Sequence, residues 1–77
     1  MVLVKPVTVY SSETCGPCLS LKKFLDHKGV PYKILDIKHK VHADKVLKLT
    51  GSLVVPVTVI NDEVVTGLNY KRIGELL

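Results

Sequence analysis

A chain of 77 residues has room for one core and no separate regulatory module, and a hydrophobic content of 47% is enough to build that core. At this size packing yields only about 3–5 kcal/mol of net stability, which excludes long structureless insertions. The net charge of +4 comes from 11 Lys and Arg residues scattered between Lys5 and Arg72, with no aromatic platform for stacking bases beside them, so no nucleic-acid partner is expected.

The first residues, Met1-Val2-Leu3-Val4-Lys5-Pro6, form an apolar stretch too short for a secretion signal core and without a small-residue cleavage site. No window approaches the roughly 20 consecutive apolar residues of a membrane span. A soluble, cytoplasmic protein without a membrane partner is expected. Val2, Val4, Val7, Val9 and Tyr10 suit a strand covered on both faces at the centre of a sheet, with Pro6 marking its incompletely paired start. Ser11-Ser12-Glu13-Thr14 reads as a turn. From Pro17 the period becomes helical, with Cys18, Leu21 and Leu25 on one face and Lys22, Lys23 and Asp26 elsewhere, until Gly29 and Pro31 stop it.

Residues 32–37 predict a second strand, parallel to the first across a right-handed β-α-β crossover. Residues 38–42 read as a basic loop. Ala43, Val46, Leu47 and Thr50 then recur at helical spacing up to Gly51. Residues 53–60 are a strand signal interrupted by Pro56. Asn61-Asp62 turns the chain into a partner strand over 63–66, and Asn69 caps a last helix running to Leu77. The result is a single α/β domain over 1–77 with the order β-α-β-α-β-β-α.

Chemistry concentrates in Cys15-Gly16-Pro17-Cys18, at the junction of the first strand and the first helix. A bridge between these cysteines closes so small a loop that it adds little stability, so reactivity explains the spacing better. A helix N-terminus carries roughly half a positive charge and unpaired N–H groups, both of which favour a thiolate. Cys15 should lie at or just before the first turn, open to that field, while Cys18 turns with Leu21 towards the core. The exposed sulfur is then the attacking group and the covered one is placed to displace it from a mixed disulfide. Pro17 presets the helical φ, and Gly16 lets a substrate approach the backbone. Cys15, Cys18, His39 and His42 can be written as a zinc set, but the spacing matches no common structural zinc pattern, and no metal is expected. His39 and His42 read instead as exposed loop and helix-start residues.

Taken together, Val9-Tyr10-Ser11, Cys15-Gly16-Pro17-Cys18, Gly29-Val30-Pro31-Tyr32, Val55-Pro56-Val57 and Thr66-Gly67-Leu68 resemble a glutaredoxin-like redoxin of the thioredoxin superfamily. The resemblance covers essentially the whole chain. It implies the thioredoxin/glutaredoxin fold, a four-stranded mixed sheet flanked by three helices. It implies thiol–disulfide oxidoreductase activity with Cys15 and Cys18 catalytic, a cis Pro56 beside the disulfide, and a Val55 backbone that pairs with a bound peptide or glutathione. Gly16, Pro17, Val55, Pro56, Gly67 and Leu68 are the substrate-binding positions it suggests.

Departures from the family pattern narrow the subtype. Gly16-Pro17 replaces the Pro-Tyr type of pair usual in glutathione-dependent glutaredoxins. Thr66-Gly67-Leu68-Asn69 lacks the second Gly and the acidic residues that hold glutathione, so tight glutathione binding is not expected. Thr14 stands where thioredoxins usually have Trp, and the first strand has no carboxylate. The chain thus looks like the short redoxins that a thioredoxin reductase reduces and that supply electrons to ribonucleotide reductase. The expectation is a monomer without a bound cofactor beyond its redox-active disulfide, acting on disulfide-containing proteins. Two alternatives stand beside it: a glutathione-dependent glutaredoxin, and a metal or iron–sulfur carrier holding its cluster between two subunits through Cys15 and an external thiol. Weaker signals are Tyr10 as core packing, Lys22 and Lys23 as a solvated helix face, and Leu53, Val54, Leu68 and Tyr70 as an apolar rim around the disulfide.

Overall fold

The β-branched run Val7-Thr8-Val9 continues into Tyr10 and Ser11 as strand β1, Val7–Ser11, the central element of the computed structural model, which describes residues 7–13 and 15–77. The expectations placed on Val2, Val4, Pro6 and Thr14 lie outside the described residues. Helix α1, Gly16–His27, carries the chain over to β2, Lys33–Asp36, which pairs with β1 in parallel. Helix α2, Lys40–Thr50, leads to β3, Val57–Ile60, antiparallel to β1. β3 turns through Asn61 and Asp62 into β4, Glu63–Thr66, and helix α3, Tyr70–Leu76, follows. The strand order is β2-β1-β3-β4, the four-stranded mixed sheet of the thioredoxin/glutaredoxin fold. Asn61 and Asp62 have φ of 48° and 72°, the double left-handed conformation that suits a two-residue hairpin between twisted strands.

Alternation along the strands divides the core in two. Val7, Val9, Ile60 and Val65 pack with Leu21 and Leu25 of α1 and Ile73 of α3. Tyr10 and Val57, of opposite parity, pack with Val46 of α2. The helices α1 and α3 therefore cover one face and α2 the other. Tyr10 is core packing, as its sequence context suggests. At α3, Asn69 accepts a hydrogen bond from the Arg72 N–H at 3.2 Å, and Tyr70 stacks on Phe24 of α1 with centroids 4.6 Å apart. At the far end of α1, the Tyr32 hydroxyl donates to Asp26 Oδ1 at 2.8 Å, and that hydrogen bond, with some burial and the Asp26 charge, raises the phenol above its ordinary pKa.

Three local expectations are corrected. α2 begins at Lys40, so Lys40, Val41 and His42 are helical and the basic loop is reduced to a turn. The Lys38 and His39 N–H groups both bond back to Asp36, one to its side chain and one to its carbonyl, which closes that turn and leaves the next residue free to start a helix. His39 becomes the N-cap residue, and His42 is half-buried with its ring 6.4 Å from that of Tyr10. The inner stripe of α2 runs through Val46 and Leu49, whereas Leu47 is exposed. β3 begins only after Pro56, because a residue without an N–H cannot join the ladder, and Leu53 and Val54 stay outside the sheet and exposed. No helix among the described residues is long and apolar enough to cross a membrane.

Leu25 is wholly buried between α1 and the sheet. Leu25→Ala is expected to lower the unfolding free energy by about 2–5 kcal/mol, a large part of what so small a core supplies. Urea unfolding measures this, and a loss below about 1 kcal/mol would contradict the packing described.

Candidate active site

Strand register brings three separated chain segments to one end of the sheet. Tyr10 lies opposite Val57, and Val57 lies opposite Thr66. The next step along each strand is Ser11 on β1, Pro56 before β3 and Gly67 after β4. A hydrogen bond from the Gly67 N–H to the Pro56 carbonyl at 2.9 Å closes the last of these pairings. The Val55–Pro56 peptide bond is cis. Gly67 has φ of 70°, a left-handed turn conformation in which a side chain would be strained, and Leu68 beyond it is exposed.

The cysteine motif follows Ser11 on the same end. The Cys15 N–H bonds the Ser12 carbonyl at 3.2 Å, and Cys15 itself is extended, with φ −91° and ψ 107°, as an N-cap residue is. Its sulfur accepts a hydrogen bond from the Cys18 N–H at 3.1 Å, so a disulfide sulfur takes the part usually played by a Ser or Asp oxygen. Pro17 sits in the first turn, where its missing N–H has no intrahelical partner to lose. No acidic side chain occupies that turn to compete for the positive end of the helix. Cys15 and Cys18 are joined in a disulfide with Cα atoms 5.2 Å apart. Cys15 is half-buried, while Cys18 keeps only 1% of its surface and points inward with Leu21 and Leu25. The expected inequality of the two sulfurs is present in the geometry.

Two features are not legible in the sequence. Lys38 reaches Glu13 at 2.9 Å across 25 residues, tying the turn before Cys15 to the turn after β2. The hydrogen bond to Glu13, and then the charges of Glu13 and Asp36, raise the Lys38 pKa. Glu13, two positions before Cys15, thereby has its charge partly neutralised. The second feature is Thr58, wholly buried in β3 with a hydroxyl that has no hydrogen-bond partner. A Thr within the Val/Ile run of a central strand is its only sequence signal. His39 and His42 approach edge to ring at 5.8 Å, but no group of three or more His, Cys, Asp or Glu among the described residues is arranged to hold a metal ion. Lys22 is half-buried and Lys23 exposed on α1. Leu53, Val54, Leu68 and Tyr70 are all exposed apolar surface.

Comparison with known proteins agrees with this geometry. The glutaredoxin family model matches residues 7–65. The Gene 56 protein of Mycobacterium phage D29 is 32% identical over 77 residues, covering 94% of this chain and 82% of its own length. The crystal structure of the thioredoxin-like protein BC3987 is 33% identical, with a TM-score of 0.85 over 92% of this chain and 99% of that one. The glutaredoxin-like NrdH-redoxin from Escherichia coli, at 21% identity, shares the fold with a TM-score of 0.80 over 94% of this chain and 95% of its own.

The difference in exposure between the two sulfurs gives a direct test. Brief iodoacetamide treatment of the reduced protein at neutral pH is expected to label Cys15 at least about tenfold faster than Cys18, as read by peptide mass mapping. Equal labelling would contradict the arrangement.

Proposed function

The chain belongs to the glutaredoxin family and is a thiol–disulfide oxidoreductase, and we propose that it acts as a dithiol electron donor to disulfide-containing proteins, with Cys15 attacking and Cys18 resolving. One observation carries this reading: the N-capping sulfur of Cys15 is half-open to solvent, while its disulfide partner one turn along α1 is buried. In the reduced protein the Cys15 thiolate attacks a substrate disulfide and expels one substrate sulfur as a thiolate. Cys18 then attacks Cys15 Sγ, forms the Cys15–Cys18 bond and expels the second substrate sulfur. Two electrons pass to the substrate, and the protein becomes the disulfide form.

Substrate backbone is received by the segments gathered at the sheet end: Gly16 and Pro17 on α1, Val55 and Pro56 before β3, and Gly67 and Leu68 after β4. Val55 is half-buried and lies outside the β3 ladder, which supports a role in pairing with an extended peptide. The exposed side chains of Leu53, Val54, Leu68 and Tyr70 supply the apolar rim for docking.

The reductant we propose is a thioredoxin reductase-like enzyme in place of glutathione, and ribonucleotide reductase is the proposed client, with the domain 1–77 working as a cytoplasmic monomer. Support comes from the positions where glutathione would be held. Asn69 spends its side-chain oxygen on the N-terminus of α3, and Leu68 fills the position where a second Gly would leave space. Glutathione-dependent turnover is the competing reading, and an iron–sulfur carrier is the third; the same altered positions weigh against both, since such carriers use glutathione as a co-ligand.

The oxidised protein is expected to be reduced faster by NADPH with thioredoxin reductase than by millimolar glutathione, followed as NADPH consumption. A glutathione-only result would overturn the subtype. Cys15→Ser is expected to abolish turnover, while Cys18→Ser should accumulate mixed disulfides; undiminished protein-disulfide reduction by the Cys18 variant would contradict the dithiol cycle.

A further inference from the structure

Among the described residues only two buried side chains are polar, Ser11 and Thr58. Register places both on the same face of the sheet. Thr58 lies opposite Val9 on β1 and Val65 on β4, and both of those valines belong to the core packed under α1 and α3. Ser11 shares the parity of Val9, so it faces the same way, one layer nearer the active-site end. The layer at that end is Ser11 with Pro56; the next is Val9, Thr58 and Val65. Two residues of strand separate them, about 7 Å. Leu21 and Leu25 of α1 pack on this face, and Cys18, buried in the first turn of the same helix, lies towards the active-site end, the side of Ser11 and Pro56.

An unpaired hydroxyl at full burial is unfavourable, and Val would fill the same volume without that cost. Thr58 is the described side chain that carries this defect. Cys18 has the complementary need. To resolve a mixed disulfide it must become a thiolate while 1% exposed, one turn before Leu21, which packs in a core of Val7, Val9, Leu25, Ile60, Val65 and Ile73 that contains no charge. The ionisable groups on the elements around it are half-buried or exposed, Tyr70 on α3 among the exposed ones, apart from Tyr10 on β1, which is buried on the opposite face of the sheet. Cys15 and the half-buried Lys22 share its helix, and Asp36 at the end of β2 lies opposite Ser11 with Oδ1 bonded to the Lys38 N–H. Lys33 on β2, Glu63 on β4, and Lys71, Arg72 and Glu75 on α3 are exposed, as are Lys23, Asp26 and His27 on α1.

We propose that Thr58 is a positioning residue for the resolving step: its hydroxyl donates a hydrogen bond to the Cys18 sulfur once the disulfide is open and so favours the buried thiolate. The assignment rests on the dithiol cycle proposed above. In the disulfide state Cys18 Sγ is bonded to Cys15, and the hydroxyl has no acceptor. When a substrate sulfur occupies Cys15, the Cys18 side chain is free to turn about its Cα–Cβ bond towards the sheet, and its proton leaves to solvent. The Cys18 thiolate then attacks Cys15 Sγ; the Cys15–Cys18 bond forms, the bond from Cys15 to the substrate sulfur breaks, and that sulfur departs with the electron pair.

The test uses the reduced 77-residue protein and 5,5′-dithiobis(2-nitrobenzoate), which releases one coloured thiolate when Cys15 attacks and a second when Cys18 resolves. In Thr58→Val the first release is expected at the wild-type rate. The second should slow by about tenfold at neutral pH, with its pH midpoint displaced upward by about one unit. Thr58→Ser, which keeps the hydroxyl, should restore both. A Thr58→Val protein with the wild-type second phase overturns the proposal. So does equal slowing of both phases, failure of Thr58→Ser to restore the second, or a shift of its midpoint by Asp36→Asn and not by Thr58→Val. A wild-type protein with no second release would sink the dithiol cycle itself, an outcome distinct from the failure of Thr58 alone.

Discussion

The hydrogen bond from the Cys18 N–H to Cys15 Sγ is the contact on which the site depends. It makes one cysteine the cap of α1 and, by the period of the helix, turns the other into the core beside Leu21 and Leu25. The same bond brings an N–H and the positive end of the helix to the sulfur that carries negative charge in the proposed cycle. Local folding and reactivity are therefore one geometric fact. An Ala at position 15 would remove the cap and, in the proposed cycle, the nucleophile as well.

The sheet presents further groups at the end where that helix begins. β1 and β4 run the same way, each antiparallel to β3, so the outgoing ends of β1 and β4 and the incoming end of β3 share an edge. Ser11, Pro56 and Gly67 follow from register, and the Gly67 to Pro56 hydrogen bond fixes the last pair. The disulfide, the cis peptide and the left-handed Gly67 are far apart in sequence and lie towards the same end of the sheet. β2, parallel to β1, adds the turn from which Lys38 reaches Glu13.

Much of this is legible in the amino-acid sequence alone. The hydrophobic period changes from strand to helix at the cysteine motif, and Gly29 and Gly51 mark helix ends, where both have positive φ. Asn61-Asp62 and Asn69 are readable as turn and cap because their chemistry is local. The parts that escape such a reading depend on tertiary context. The start of α2 at Lys40 follows from two hydrogen bonds back to Asp36, and the exposure of Leu47 follows from which stripe of α2 meets Tyr10 and Val57. The Glu13–Lys38 pair joins distant turns, and the burial of Thr58 on the α1 face depends on register with both neighbouring strands.

In the proposed cycle the capped position of Cys15 makes it the thiolate of the pair. Titrating the thiolate absorbance near 240 nm in the fully reduced protein, with Cys15→Ser alongside, tests it most directly. A first ionisation clearly below the ordinary thiol value of about 8.5 is expected, and it should disappear in Cys15→Ser. Two ionisations at or above that value, or a low one that survives the substitution, would contradict it.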